Sequence, residues 1–337
     1  MESSELYNIK QQFTLGAYKS VTTHPLPPSS SSDYIPILFY QARSHLALNQ
    51  PSAALALISS SSKSSLALKA LTSLTKFIQS SNEDESALEE LRDLIVEVEG
   101  EDEEDEDEDE DEEDGGKGRK EWEKGMVRVI AGIAFARAGE VEEALETLGG
   151  SGGVNDENLE AVAVTTQIYL SISRPDLASK QLKLSKKWAS DETLIQLIES
   201  SINLYTGKDS YSDPNSFYNE QLANPSLASP PHLLVARGVS RLLKGEINGA
   251  KSDLEESVNN AKVRGTEVDE ETLVNLIVVT GLGKGKGSEE EAEKLFSELV
   301  SKYPKNPLVL DVEKKADIFD ELASKFEVPP VAIPSAA

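Results

Sequence analysis

A three-residue pattern recurs along the chain and constrains its fold more than any other feature. A small or turn-forming residue is followed five positions later by Ala and, four positions after that, by a large apolar residue. Such internal repetition is typical of repeat folds, in which each unit packs on its neighbours. The segment Gly16–Tyr18–Val21 is a weaker version of the pattern. The six clear instances are Asn49–Ala54–Ile58, Asn82–Ala87–Leu91, Gly139–Ala144–Leu148, Ser173–Ala178–Leu182, Gly245–Ala250–Leu254 and Gly287–Ala292–Phe296.

A second position, usually occupied by a small residue, lies twelve residues before most of these alanines. Small side chains at both positions allow two antiparallel helices to cross closely, and Gly or Asn in the turn tolerates left-handed backbone. The spacing predicts a helix–turn–helix unit similar to the tetratricopeptide repeat of about 34 residues. The residues at this second position are Ala42, Thr75, Gly132, Thr166 and Gly238.

The repeat predicts an all-α chain that forms an α-α superhelix, a tetratricopeptide-like solenoid of about eight helical pairs. Strand-like alternation extends over no useful length, which supports the same fold class. The predicted pairs are 4–24, 33–60, 64–98, 119–149, 156–188, 191–224, 229–263 and 267–303, followed by a helix near 306–327.

Two segments interrupt the predicted array. Residues 99–120 contain fourteen consecutive acidic residues, Glu101 to Asp114, and like charges with nothing to bury predict a disordered insert. Prolines and serines at 23–33 predict a loop. We therefore expect N-terminal repeats over 1–98, the acidic insert over 99–120, C-terminal repeats of the same solenoid over 121–327 and a flexible tail over 328–337.

Composition limits the function. The 337 residues include no Cys, which excludes disulfides and thiolate chemistry and fits a cytoplasmic protein. A net charge of −27 disfavours direct binding of nucleic acid or anionic lipid. The N-terminus lacks the pattern of a signal peptide, and no apolar run approaches the roughly 18 residues of a membrane span. We expect any contact with a membrane to be indirect.

The stretch "LVNLIVVTGLGKGKGSEEEAEKLF", residues 273–296, has the layout of a strand, a phosphate-binding loop and a helix. The Walker pattern fails because Gly287 follows Gly285-Lys286 and Thr280 stands where the first Gly is needed. The dinucleotide pattern fails at Lys286. The repeat register instead predicts a helix, a turn lengthened by about three residues and a second helix.

The sequence contains no motif for metal binding or for nucleophilic catalysis. His24, His45 and His232 are too scattered for a metal motif, and no nucleophile elbow is present, so we predict no catalysis, metal or cofactor and no small-molecule substrate. The acidic run could hold basic partners or calcium, but a solvated insert is the simpler interpretation. Trp122 and Trp188 are expected to pack between repeats.

The first helices of a stacked solenoid line its concave face, where extended partners bind. An unusually apolar lining predicts a large, permanently held protein segment, unless these residues only fill the interior of a tightly wound superhelix. Counted from the small residues, the predicted groove consists of Phe39, Arg43, Leu46, Val129, Ile133, Ala136, Ala163, Gln167, Leu170, Val235, Val239, Leu242, Val274 and Val278.

Several segments resemble, in order, the coatomer epsilon subunit family, which belongs to the coat of Golgi vesicles. They are "ELYNIKQQFTLGAYKS" (5–20), "DLASKQLK" (176–183), "DETLIQLIES" (191–200), "ETLVNLIVV" (271–279) and "YPKNPLVLDVEKKADIFDEL" (303–322). The resemblance implies a non-catalytic coat component that binds and stabilises the C-terminal region of the alpha subunit. It also implies service in Golgi-to-endoplasmic-reticulum retrieval and intra-Golgi traffic.

The acidic insert departs from the family pattern, so the resemblance implies nothing about its role. The alternative function is a generic tetratricopeptide adaptor, such as a co-chaperone, that binds short peptides. The polarity of the groove distinguishes a coat subunit from a peptide adaptor, because a groove that captures a charged peptide terminus requires Lys, Arg and Asn in its lining.

Overall fold

A computed structural model describes residues 3–61, 65–105, 114–149, 157–207, 211–224, 230–283, 285 and 287–326 of the chain. These residues form seventeen α-helices and no strand, as the fold class predicts. The helices are α1 (Ser4–Thr14), α2 (Tyr18–Thr23), α3 (Tyr34–Ala47), α4 (Pro51–Ser59), α5 (Leu66–Gln79), α6 (Glu85–Asp105), α7 (Asp114–Ala138), α8 (Val141–Thr147), α9 (Leu159–Ser171), α10 (Pro175–Ser185), α11 (Thr193–Thr206), α12 (Ser212–Leu222), α13 (Pro231–Leu243), α14 (Ile247–Arg264), α15 (Glu270–Gly281), α16 (Ser288–Lys302) and α17 (Pro307–Ser324).

The predicted pairing is confirmed within the described residues: α1 to α16 form eight consecutive pairs, and α17 follows alone. All seven turn positions of the repeat have positive φ, including the non-glycine residues Asn49, Asn82 and Ser173. Left-handed backbone ends the first helix and reverses the chain, which explains why the pattern selects Gly, Asn and Ser there. The predicted loop between α2 and α3 and the predicted turn between α15 and α16 are also present.

Close helix crossing explains the small residues of the repeat. Ala54, Ala87, Ala144, Ala178 and Ala250 are fully buried. The tightest approach is in the fourth pair, where a Cβ built on Gly132 of α7 would lie 2.6 to 2.9 Å from three side-chain atoms of Leu148. In the fourth and seventh pairs, the large apolar residue that follows the repeat alanine, Leu148 or Leu254, therefore packs over the glycine of the first helix.

Replacing Gly132 by Ala is expected to lower the free energy of unfolding by about 1–2 kcal/mol, because overpacking outweighs the better helix propensity of Ala. Gly238→Ala is the matched control, since its Cβ would meet Leu254 at an ordinary 3.4 Å. We expect that control to be neutral or stabilising in urea unfolding. Equal midpoints for the two variants would contradict the close crossing at Gly132.

The chain divides into two compact units, Met1–Leu233 and Leu234–Ala337. The sequence did not indicate this boundary, which lies within α13. The main core of the first unit joins α3, α5, α6 and α7 through residues such as Leu38, Leu71, Leu91 and Ile130. The second unit has its own clusters, one around Leu254, Leu276 and Val279 and one around Leu273, Leu299 and Val309.

The predicted acidic insert is partly helical, which corrects the prediction of disorder over 99–120. Helix α6 continues to Asp105, and α7 already begins at Asp114. An established helix adds residues at low cost, and Glu has a high helix propensity, so both neighbouring helices extend into the insert. Residues 106–113 and the predicted tail, 328–337, lie outside the described residues. The predicted domain limits at 98 and 121 stay predictions.

Candidate partner-binding groove

The predicted groove residues differ widely in accessibility. Phe39, Val129, Leu170 and Val235 are buried within the chain. Gln167 is exposed, and Val278 is 41% exposed. A residue buried by its own chain cannot contact a partner in this conformation, so the buried four are removed from the candidate surface. The remaining residues are half-buried, namely Arg43, Leu46, Ile133, Ala136, Ala163, Val239, Leu242 and Val274.

In the first unit, an internal ion pair occupies the position predicted to be groove. Arg43 of α3 donates to Glu160 Oε2 of α9 at 2.5 Å, and the Tyr40 hydroxyl donates to Glu160 Oε1 at 2.6 Å. The two charged side chains are only 12% and 20% exposed. Asn158 caps α9 by accepting from the backbone N–H of Glu160, which holds the carboxylate at the helix start. The pair thus ties the second helical pair to the fifth.

Aromatic rings complete this site. The Arg43 guanidinium lies 4.5 Å from the ring centroid of Phe13 and 5.3 Å from that of Phe39, within the range of cation–π attraction. Phe39 also packs edge-on against Trp122 of α7 at 5.5 Å, so Trp122 lies between repeats as predicted. For Phe39, Arg43 and Val129, the alternative interpretation of a tightly wound interior agrees with the structure.

The electrostatics of the pair follow from its position. Burial alone raises the pKa of the Glu160 carboxyl, but the charge of Arg43 and the hydrogen bonds from Tyr40 and Arg43 outweigh it. The pKa of Glu160 is therefore below its usual value of 4.5. Burial lowers the pKa of Arg43, but the charges of Glu160, Tyr40 and Tyr18 and the hydrogen bond to Glu160 together outweigh burial and leave the pKa of Arg43 raised. Both groups are charged near neutral pH.

The second unit presents an apolar face that its own side chains leave accessible. Val274, Val278 and Leu282 follow one another at intervals of four along α15 and its C-cap, so they lie on one side of the helix. Leu282 is 54% exposed, which is more than Val278. Leu282 was not among the predicted groove residues, because the repeat register places it in the lengthened turn. Its spacing of four from Val278 was the available signal.

The buried carboxylate of Asp253 was not predicted from the sequence. Asp253 of α14 is nearly inaccessible and accepts hydrogen bonds from Arg237 at 2.7 Å and from Arg241 at 2.6 Å, both on α13. Two guanidinium groups on one carboxylate fix the crossing of this helical pair. The pairing of the Asp253 charge with two guanidinium groups indicates a structural role.

Within the described ranges, no group of three or more His, Cys, Asp or Glu side chains could hold a metal ion. None of the described helices is long and apolar enough to cross a bilayer. His24 and His45 interact with Pro25 O and Gln50 Oε1, respectively. The candidate site on the described residues is the accessible apolar face of α15.

Comparisons with known proteins match the chain to one family. A family model described as "Coatomer epsilon subunit" matches residues 2–106 and 117–327. Coatomer subunit epsilon-1 of Arabidopsis thaliana is 25% identical over 95% of this chain and 97% of its own length. Coatomer subunit epsilon-1 of Oryza sativa subsp. japonica is 26% identical over 94% of this chain and 96% of its own length.

A solved structure supports the fold alone. A tetratricopeptide repeat protein from Parabacteroides merdae superimposes with a TM-score of 0.52 at 13% identity, covering 88% of this chain and 98% of that chain. The α-α superhelix predicted from the repeat is therefore confirmed at the level of fold.

Proposed function

Because the chain belongs to the coatomer epsilon subunit family, we propose that it binds the C-terminal region of the coatomer alpha subunit. Family membership makes the chain a subunit of the COPI vesicle coat and implies assembly into the coatomer complex. The binding segment on alpha, and a role in Golgi-to-endoplasmic-reticulum and intra-Golgi transport, belong to the proposal. We further propose that the chain contributes structure rather than catalysis to the coat.

The observation that carries the proposal is the accessible apolar face of α15. Val278 and Leu282 stand on it next to half-buried Val274. Each fully covered side chain of this size contributes about 1.5–3 kcal/mol, so covering two contributes several kcal/mol before association costs. A partner segment with apolar side chains at every second position, or at helical spacing, would cover these side chains and gain this free energy.

The other accessible residues of the predicted groove extend the proposed contact. Val239 and Leu242 of α13 are half-buried and support α15 through the cluster that contains Leu276 and Val279. Gln167 and Ala163 of α9 remain candidates in the first unit. Leu46, Ile133 and Ala136 are half-buried at its core, where a partner would reach only part of each side chain.

Replacing Val278 by Lys is expected to weaken binding of the full chain to the alpha C-terminal region at least about 30-fold, because the interface would bury an unpaired charge. Val263→Lys is the matched control: Val263 is 88% exposed on α14, and Lys suits a helix C-terminus. We expect that control to bind like the unsubstituted chain in isothermal titration calorimetry.

Two results would contradict the proposal. One is the absence of a stable complex between the unsubstituted chain and the alpha C-terminal region. The other is equal affinity for the Val278→Lys and Val263→Lys variants. Because Val235 is buried in the core, a charge there would unfold the second unit and would not test the interface.

The alternative function, a generic peptide adaptor, predicts micromolar binding of acidic C-terminal peptides. Such capture needs several cationic side chains on the concave face. On the side of α15 that was predicted to face the groove, half-buried Val274, exposed Val278 and the C-cap Leu282 are apolar, and the first turn of α15 carries acidic Glu270 and Glu271 rather than cationic residues. The chemistry of this face therefore favours the coat interface, and titration with such peptides tests the alternative directly.

A further inference from the structure

The last described helix, α17, projects from the second unit. Its start is held firmly: the side chain of Asn306 accepts from Leu308 N at 2.8 Å and donates to Glu270 at 2.6 Å. Val309 is fully buried against Leu273 and Leu299. Every residue from Leu310 to Phe326 is exposed. The helix is therefore anchored by its first turn, and the rest of it is largely open to solvent.

The exposed part of α17 is amphipathic. Val309, Val312, Ala316, Phe319 and Ala323 follow at alternating intervals of three and four, which places them along one side of a helix. Leu322 borders this line. We call Val312, Ala316, Phe319, Leu322 and Ala323 the α17 stripe. Phe319 is 69% and Leu322 61% exposed, a large apolar area for a protein surface.

Alternating intervals of three and four are the spacing by which two helices pack along a common seam. Small Ala316 and Ala323 alternate with large Phe319, so the stripe offers holes on either side of a projecting ring. Acidic residues, Glu313 and Asp320, stand at the heptad position on one side of such a seam, whereas Lys315, which pairs with Asp311, and Leu322 stand on the other. A matching helix would carry an apolar line with Lys or Arg on the side that faces Glu313 and Asp320.

Charge and length argue against a second copy of this chain as the occupant. Two chains of net charge −27 repel each other. The stripe covers only about two heptads, fewer than the roughly three to four that a self-sufficient coiled coil requires. The interaction is thus expected where a partner is already held nearby by another surface.

We propose that α17 docks an amphipathic, basic-flanked helix of another protein of the coat, packed along the α17 stripe. This inference rests on the proposed function, because the apolar face of α15 supplies the second contact that so short a seam needs. It adds a separate surface, a separate partner element and a charge requirement that the α15 face does not have.

The test compares two neighbouring substitutions in the full chain, Phe319→Asp on the stripe and Ile318→Asp beside it, where Ile318 is 46% exposed. The probe is the coat complex assembled from its remaining subunits without this chain. Phe319→Asp is expected to weaken binding at least about 30-fold, as for a central aromatic anchor, and Ile318→Asp less than about threefold. Equal affinities for the two variants would overturn the proposal.

Charge reversal tests the flanks. The double variant Glu313→Lys with Asp320→Lys is expected to weaken binding to the same probe about tenfold at low salt and less at high salt. Asp317→Lys, on the opposite side of the helix, is the control and should change affinity little. If the double variant binds as tightly as the control at low salt, the basic-flanked partner is wrong.

Other occupants give different results. A dimer in sedimentation that Phe319→Asp abolishes would assign the stripe to a second copy and overturn the proposal. A lower melting temperature for Phe319→Asp alone, removed by deleting residues 327–337, would assign it to the chain's own C-terminus.

The two proposals also fail separately. Loss of binding to the alpha C-terminal region with retained, Phe319-dependent binding to the coat probe would overturn only the alpha assignment. Retained, Val278-dependent binding to alpha, with no effect of Phe319→Asp on the coat probe, would overturn only the α17 proposal.

Discussion

Replacing Glu160 by Gln is expected to lower the free energy of unfolding by about 3 kcal/mol, because it leaves the Arg43 guanidinium buried without its counter-charge. Asp176→Asn is the control: Asp176 pairs with Arg174 on the surface, and we expect no measurable change. Urea unfolding measures both. A Glu160→Gln midpoint that matches the control would show that the pair contributes nothing to closing the first unit.

The same variant predicts a pH dependence with a defined sign. The folded-state pKa of Glu160 lies below its unfolded value, so the unfolded chain binds this proton more readily. The contribution of Glu160 is complete above the unfolded pKa, near 4.5, and is lost as pH falls through the folded value. The stability difference between the unsubstituted chain and Glu160→Gln should therefore shrink on acidification below about pH 5.

A double variant separates the ion pair from the packing around it. Arg43→Met with Glu160→Met replaces both charges by apolar side chains of similar length, and we expect it to recover most of the lost stability. If the double variant is as unstable as Glu160→Gln, the lost stability comes from altered packing at the site rather than from the unpaired charge.

Replacing Phe39 by Ala is expected to cost about 3–5 kcal/mol of unfolding free energy, since Phe39 is 0% exposed and packs against Trp122 and the Arg43 side chain. Phe319→Ala is the matched control, because its ring is mostly exposed and its loss should leave stability unchanged. Thermal unfolding distinguishes the two. If Phe39→Ala unfolds at the control temperature, Phe39 belongs to an accessible groove, as the sequence alone suggested.

The repeat register could be predicted because its determinants are local. The residue type at each turn, such as Asn49 or Ser173, favours left-handed backbone at that position. Positive φ is confirmed at every predicted turn. Each repeat alanine reports a crossing between helices adjacent in the chain, such as Ala144 in the fourth pair. Turn conformations and helix crossings of this kind depend on residues close together in the chain, so their spacing can be recognised in a single sequence.

The candidate site could be predicted only in part. The repeat register predicted Val274 and Val278 on the concave side of α15, and the structure leaves Val278 exposed. Burial of Phe39 and Val129 was not predictable, because the register does not state how tightly the superhelix winds. The prediction of a structureless insert failed at its edges, where helix propagation exceeds charge repulsion.

What the sequence by itself determined is the all-α solenoid, its pairing and the positions of its turns, all of which depend on neighbours along the chain. Only the tertiary structure decided which of the predicted groove residues are buried and which are exposed. Arg43 and Glu160 meet across 117 positions, and α1 lies against α11, so the interior of the first unit is filled from distant repeats. It also decided that α17 projects, since a helix shows its apolar side in sequence but not whether its own chain covers it.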